Sequence, residues 1–254
     1  MANPTACLLI IGNEVLSGRT RDANLQYIAT RLGEIGIPLM EARVIPDIEA
    51  TIIATVNEVR AKFDHVFTTG GIGPTHDDIT SECIAKAFGV PWEPHPVAWK
   101  RLADHYAKQN PPGDFNPARQ RMGTMPRGCT LIDNGISIAP GFTMGNVHVM
   151  AGVPRIMQQM FETLAPSLKG GVPVKSRTVH ADGLAEGRIA EGLEHIQKRY
   201  PELDIGSYPY YRAQGNGVAL VAKGTDEAQV IAAAHDISAF IRACGHMPIE
   251  GEPE

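Results

Sequence analysis

The stretch Thr68-Thr69-Gly70-Gly71-Ile72-Gly73-Pro74-Thr75-His76-Asp77-Asp78-Ile79-Thr80 decides how this chain is read. The apolar pair Val66-Phe67 precedes it, and an amphipathic run with Ile79, Cys83, Ile84, Ala87 and Phe88 follows up to Gly89. That order is strand, glycine turn, helix. Gly70, Gly71 and Gly73 let a backbone approach a ligand closely and turn its N–H groups inward. A helix start adds free N–H donors and the positive end of the dipole, a setting that suits phosphate. Asp77 and Asp78 then stand where phosphate is expected. Two like charges there make sense if a metal ion lies between them or if one works as a base. The competing reading is local. Thr75 and Asp78 form a T-x-x-D capping pair, and Asp77 falls in the first helical turn, where negative charge is favourable. A cap is worth about 1 kcal/mol and explains Asp78 more easily than Asp77. It does not require Thr68-Thr69 or three glycines in four positions. His76 could donate to a phosphate or could simply be solvated.

Outward from the motif, strands and helices alternate. Ala6–Ile11 is a continuous apolar run, short enough for a buried strand, broken by Gly12-Asn13-Glu14. A helix is expected from about Asp22, with Leu25, Ile28, Leu32 and Ile35 on one face and Gly36 as its stop. Leu39–Ile45 reads as a strand. Pro46-Asp47 opens a helix with Ile52, Val56, Val59 and Phe63 inward, and His65–Thr69 is the third strand. Such spacing implies right-handed βαβ units around a parallel sheet, whose ligands bind beyond the carboxyl ends of the strands. The Gly12–Glu14 and Gly70–Asp78 turns both belong to that edge, so Glu14 becomes a second acidic arm facing Asp77 and Asp78. Ser17, Asp22 and Asn24 flank the same loop, as ligand contacts or as caps of the first helix.

Residues 90–128 are rich in proline around an expected helix near 97–109, and suggest an excursion from the core, a lid or an oligomer contact. Ile136–Met150 reads as a hairpin turning at Gly145-Asn146, and Gly152-Val153-Pro154 precedes a further helix. Lys169-Gly170-Gly171-Val172-Pro173 is a linker. The expected division is an α/β domain over residues 1–168, a small α+β domain over 174–246 and a polar, loose tail over 247–254. The small domain reads βαββα: a strand at 174–181, a helix at 185–199, strands at 204–210 and 218–222 around a Gly215-Asn216-Gly217 turn, and a helix at 225–243.

The chain has 254 residues, 43% of them apolar and 20% charged, with a net charge of −5. These values describe an ordinary globular protein and disfavour a nucleic-acid backbone as partner. Cys7, Cys83, Cys129 and Cys244 form no CxxC pair and read as reduced, buried thiols. No run approaches the length of a membrane span and no leader pattern opens the chain, so the expected location is cytoplasmic, with no membrane partner.

The motifs together resemble the MoaB/Mog-type molybdopterin-binding family, in its CinA amino-terminal branch. The matching stretches are Ile10–Gly18, Asp22-Ala23-Asn24, Thr68–Thr80, Ala139-Pro140-Gly141-Phe142 and Gly152-Val153-Pro154. Gly70–Thr80, with His76, is especially similar to the molybdopterin-binding domain of eukaryotic FAD synthases. The small domain resembles the KH-type module that follows this fold in CinA proteins, without the Gly-x-x-Gly loop of its RNA-binding members. Where the CinA branch commonly has Asp, this chain has Asn13. Gly135, Ser137 and Ile138 depart from the usual Asn-Pro-x-Gly-Thr-Ala-Pro-Gly run.

The resemblance implies a three-layer α/β domain with a mostly parallel sheet that self-associates, and a site for a nucleotide or pterin phosphate beside a divalent metal (Mg, Mn or Co). Carried over, Gly12, Ser17, Asn24, Thr69, Gly70, Gly71, Gly73, Pro74, Thr75, Pro140, Gly141 and Gly152 would contact substrate. Asp77 and Asp78 would be catalytic, and with Glu14 would hold the metal. The expected activity is a metal-dependent pyrophosphatase on a substrate such as ADP-ribose or FAD. The alternative is binding of molybdopterin or a related pterin phosphate without chemistry. A third reading is a regulatory nucleotide sensor.

Overall fold

The computed structural model describes residues 3–213 and 215–253. It divides into two compact units, Met1–Gly171 and Val172–Glu254.

The first unit opens with β1 (Ala6–Ile11), the single turn α1 (Asn13–Leu16), α2 (Asn24–Glu34), β2 (Leu39–Ile45), α3 (Glu49–Lys62), β3 (His65–Thr69) and α4 (Thr80–Phe88). The proline-rich excursion holds β4 (Trp92–Pro94), α5 (Pro96–Ala107), α6 (Pro117–Arg121) and β5 (Thr124–Pro126), with β4 and β5 paired antiparallel. The chain then returns through β6 (Thr130–Ile132), β7 (Gly141–Met144), β8 (Val147–Met150) and α7 (Pro154–Leu164).

One six-stranded sheet runs in the order β2-β1-β3-β8-β7-β6. Its first four strands are parallel, and β7 and β6 add antiparallel to β8. β1 shows why the run Ala6–Ile11 is apolar throughout. Ala6, Leu8 and Ile10 pack in one core cluster with Ile28 of α2 and Phe161 of α7. Cys7, Leu9 and Ile11 pack in another with Val56 of α3 and Ile84 of α4. A strand covered on both faces has no polar side to alternate with. Each large side chain buried there stabilises the fold by about 1.5–3 kcal/mol.

Several expectations shift. α2 starts at Asn24, because the Asp22 carboxylate accepts from the Leu25 N–H at 2.9 Å ahead of it. Leu25 is 37% exposed and lies outside the core stripe. The hairpin at Gly145-Asn146 forms, with Met144 opposite Val147, but it begins at Gly141. Residues 136–140 are held in a turn by Asn134, whose Oδ1 accepts from the Ile136 N–H at 3.1 Å. In the linker, Gly171 N–H donates to the Ile35 carbonyl at 3.1 Å, so its first half belongs to the first unit.

The second unit holds β9 (Lys175–Asp182), α8 (Glu186–Arg199), β10 (Asp204–Arg212), β11 (Gly215–Gly224), α9 (Glu227–Ala243) and β12 (Ile249–Glu250). It is the expected βαββα order around an antiparallel sheet, β10-β11-β9-β12. Its core gathers Val179, Leu220, Ile237 and Ile241. Two details differ from the sequence reading. Arg212 pairs with Gly215, so Gly215–Gly217 open β11 instead of forming the turn, and Gln214 is outside the described residues. The tail is not loose over its described part. Ile249 and Glu250 pair with His180 and Val179, and Gly251 N–H donates to Thr178 at 2.9 Å.

Candidate functional site

Because β2, β1, β3 and β8 are parallel, their carboxyl ends share one edge. Four loops leave it: Gly12–Glu14, Pro46-Asp47, Gly70–Asp78 and Ala151–Pro154. The Gly70 N–H is tied to Met150 O at 3.2 Å and the Gly12 N–H to Ile45 O at 3.1 Å, so the loops are knitted together at their roots.

The glycine loop is built as the sequence requires. Gly70 and Gly71 have φ of 99° and 67°. A Cβ on Gly70 would run into the Ile11 carbonyl oxygen, and one on Gly71 into the Thr80 hydroxyl. Successive positive-φ glycines turn backbone N–H groups toward one side, the concavity that binds anions. The N–H groups of Gly71, Ile72 and Gly73 have no protein acceptor among the described residues.

The acids do not play the helix-capping part. α4 starts at Thr80, Ile79 is its cap residue, and no side chain caps it. Asp78 instead closes the loop on itself. Its Oδ2 accepts from the Thr75 N–H at 2.8 Å and from the Thr75 hydroxyl. The Thr80 N–H, at the observed helix start, is bound to Gly71 O at 3.0 Å. The loop therefore offers its own N–H groups more than those of a helix end. Asp77 is exposed, and Thr75, its own backbone N–H and His76 hold its carboxyl below the usual carboxylate range.

A third acid stands with them. Asp47 is half-buried and accepts from the Asn13 N–H at 2.8 Å. Burial raises its carboxyl above the ordinary value, and the charges of Glu14 and Asp77 raise it further. Glu14, Asp47 and Asp77 thus share one electrostatic field. Among the described residues, no three His, Cys, Asp or Glu side chains gather closely enough to hold a metal by themselves. What the edge offers is an all-oxygen, net acidic donor set. That suits a hard cation that takes one or two carboxylates and completes its shell with phosphate and water.

The cleft over this edge has a volume of about 610 Å³. Its lining includes the acids Glu14 and Asp78, the loop residues 70–74 and Gly152, and the large side chains Tyr106, Met122, Ile138, Ile156 and Met160. A smaller pocket of mixed character, lined by Ile10, Val15, Arg21, Asp22, Asn24 and Thr69 among others, adjoins it and shares Glu14, Gly70 and Gly152. Thr75 and Asp77 stand at the motif but do not line the cleft. Ser17 turns away, its hydroxyl on the Glu14 carbonyl at 3.3 Å. Pro140 lies behind the loop, and Gly141 allows β7 to approach β8, since a Cβ there would strike the Val149 carbonyl.

Sequence reading passed over three contributors. In the sequence Asp47 reads as part of a helix opening, although it follows a strand ending on the same edge. Tyr106 and Arg121 come from the proline-rich excursion, and no local pattern marks them. Arg121 donates through Nη2 to the Asp78 carbonyl at 3.0 Å and lies over the Trp92 ring, 5.3 Å from its centroid. All four cysteines are free; Cys7, Cys83 and Cys129 are buried as expected while Cys244 is only half-buried, and burial pushes Cys7 up to about 11 and Cys83 to about 12, which leaves those two unreactive. No helix among the described residues is long and apolar enough to cross a membrane.

Comparison with known proteins agrees with the architecture. Residues 7–170 match the family described as "Probable molybdopterin binding domain", and residues 173–244 match "FAD synthase, middle domain". A protein of Pyrobaculum calidifontis is 34% identical over 214 residues, 81% of each chain. A CinA-like protein of Citrifermentans bemidjiense is 37% identical over 194 residues, 74% of this chain but 46% of that longer relative. The crystal structure of the protein CinA, of unknown function, from Thermoplasma acidophilum superposes with a TM-score of 0.60 at 28% identity, over 66% of this chain and 99% of that one. The chain belongs to the MoaB/Mog-type molybdopterin-binding family, in its CinA amino-terminal branch, and carries a second unit of the FAD synthase middle-domain family.

Proposed function

We propose that the protein is a metal-dependent hydrolase of a nucleotide diphosphate such as ADP-ribose or FAD. The observation that carries this reading is the juxtaposition, on one sheet edge, of a loop with free N–H groups and the acids Glu14, Asp47 and Asp77. A phosphate-binding loop alone has no need of three carboxylates in one field, which repel its ligand. A divalent cation, when bound, neutralises the diphosphate and makes a water easier to deprotonate. Glu14 and Asp77 would hold it. Gly71, Ile72 and Gly73 would direct N–H groups at a phosphoryl oxygen, where such donors stabilise developing charge. Asp78, closed on Thr75, would keep the loop in shape. Asp47, with its raised carboxyl, would take a proton from a water on the same sheet edge, beside Glu14 and Asp77. Tyr106, Met122 and Met160 offer an apolar wall for the ring of a nucleotide.

That same wall favours a second reading, non-catalytic binding of molybdopterin or a related pterin phosphate, because a pterin is equally flat. Turnover of ADP-ribose and FAD with Mg²⁺, Mn²⁺ or Co²⁺, compared with Asp77→Ala, separates the two. The hydrolase reading expects product that vanishes with chelator and in the variant. No product across the panel, with pterin binding indifferent to chelator, favours the second.

A further inference from the structure

We propose that the free edge of β2 is a docking surface for a second copy of this chain. The two β2 strands would pair antiparallel about a two-fold axis at Ala42, so that two six-stranded sheets run on as one.

A strand at the rim of a sheet offers a row of unpaired N–H and C=O groups, and folds usually blunt it with brevity, charge or proline. β6 and β12 have three and two residues, β4 and β5 three each, and the nine-residue β10 carries Pro209. β2 has seven residues and no proline. Its one irregularity is an extra residue at Met40, near its start, so residues 41–45 run in register with 7–11 of β1. The Ile45 carbonyl accepts from the Gly12 N–H, which turns the Ile45 backbone toward the β1 side. Backbone direction alternates along such a strand, so Arg43 also points to β1, while Ala42 and Val44 point their N–H and C=O groups outward.

The side chains agree. Ala42 and Val44 pair with Leu8 and Ile10 and share their face of the sheet, where both partners are buried in the core. Yet Ala42 is exposed, Val44 is 40% exposed and Met40 61%. On the opposite face Glu41 and Arg43 are half-buried, bonded to each other and to Lys62 and Glu58. About Ala42 the strand is complementary to itself. Antiparallel pairing there lets the two Ala42 residues exchange both backbone bonds. It sets Val44 opposite Met40, apolar to apolar, and Glu41 opposite Arg43, acid to base, each twice over. Cross-strand pairs of both kinds stabilise a sheet. Centring the contact on Glu41 or Arg43 would instead oppose two like charges. A patch that fits itself about a two-fold axis is the usual form of a homodimer, and this self-complementarity is why the occupant is a second copy rather than an unrelated strand.

Sedimentation velocity of the full chain over a range of concentrations tests this. Wild type should sediment as a dimer that dissociates on dilution. Ala42→Pro removes an N–H that faces outward, and Val44→Lys puts a charge into the contact. Each should raise the dissociation constant by about tenfold or more, with thermal melting as in wild type. Oxidation by diamide checks the register, and decides alone should either variant melt early. Opposed hydrogen-bonded residues lie about 5.5 Å apart between Cα atoms, within disulfide reach, so Ala42→Cys should cross-link two chains and Met40→Cys should not. A wild-type chain that stays monomeric at every concentration overturns the proposal. So does a dimer that survives both well-folded substitutions, or cross-linking of Met40→Cys as ready as that of Ala42→Cys.

Discussion

The carboxyl edge of the six-stranded sheet and the second unit treat buried polar atoms in opposite ways. Around the edge and the loops that frame it, Asn24 Oδ1, Thr68 Oγ1, Thr69 Oγ1, Thr80 Oγ1 and Arg121 Nε are buried without partners. In the second unit no such side-chain atom occurs among the described residues. There, Gln197 donates to Leu203 O at 2.7 Å and accepts from Ile205 N–H at 3.0 Å. Tyr200 and Arg199 share Asp236 at 2.8 and 2.6 Å, and His180 meets Gly251 O at 2.8 Å. Unsatisfied buried groups cost stability, so a fold keeps them where something else gains. The contrast favours the proposed ligand site at the first unit's edge and gives the second unit an interior whose polar side chains are satisfied among the described residues.

The largest expected effect breaks the contrast from the acidic side. Asp47→Asn keeps an acceptor for the Asn13 N–H but removes the proton-accepting carboxylate. It should lower Mg²⁺-dependent hydrolysis by about 10²–10⁴-fold, the usual worth of general acid–base catalysis. Steady-state rates with ADP-ribose decide this, and an unchanged kcat would remove Asp47 from the mechanism. Next comes the loop itself. Gly70→Ala puts a side chain at φ 99° against the Ile11 carbonyl, and urea titration should show a loss of about 1–3 kcal/mol.

The third effect lies on the same sheet away from that edge. His148, near the start of β8, stacks on His65 and reaches Thr143 at 3.0 Å, a satisfied polar cluster. Burial pushes it down to about 3, well below its free value of 6.5. The folded protein therefore refuses a proton that the unfolded chain accepts. Stability is full above pH 6.5 and declines as pH falls toward 3, by about 1.4 kcal/mol per unit for one such group. His148→Gln should flatten that decline in denaturation curves taken between pH 7 and 4. The smallest effect is in the second unit. Tyr200→Phe removes one bond to Asp236 and should cost about 1 kcal/mol in the same titration while hydrolysis stays at the wild-type rate.

Much of this was legible in the chain. The unbroken apolar run Ala6–Ile11 and the order of strands and helices were enough for a parallel sheet and for the edge that carries Gly12–Glu14 and Gly70–Asp78. The Thr75–Asp78 spacing was also legible, but its meaning was not. A T-x-x-D pair caps a helix or closes a loop according to where the helix starts, and the Thr80–Gly71 bond settles that start. Asp47 was within reach of the parallel-sheet argument and was missed because a Pro-Asp pair also opens helices. Arg121 and Tyr106 arrive by long-range packing of the excursion, which leaves no periodic trace. Two residues of β12 are too short to show alternation, so their pairing with β9 is visible only in three dimensions.

Amide hydrogen exchange, measured with and without ADP and Mg²⁺, tests the central contrast most directly. The account predicts slowed exchange in the loops at 12–14, 46–48, 70–80 and 151–154, dependent on the metal, and no change in β9, β10 or β11. Protection concentrated in the second unit, or equal protection with chelator present, would contradict it.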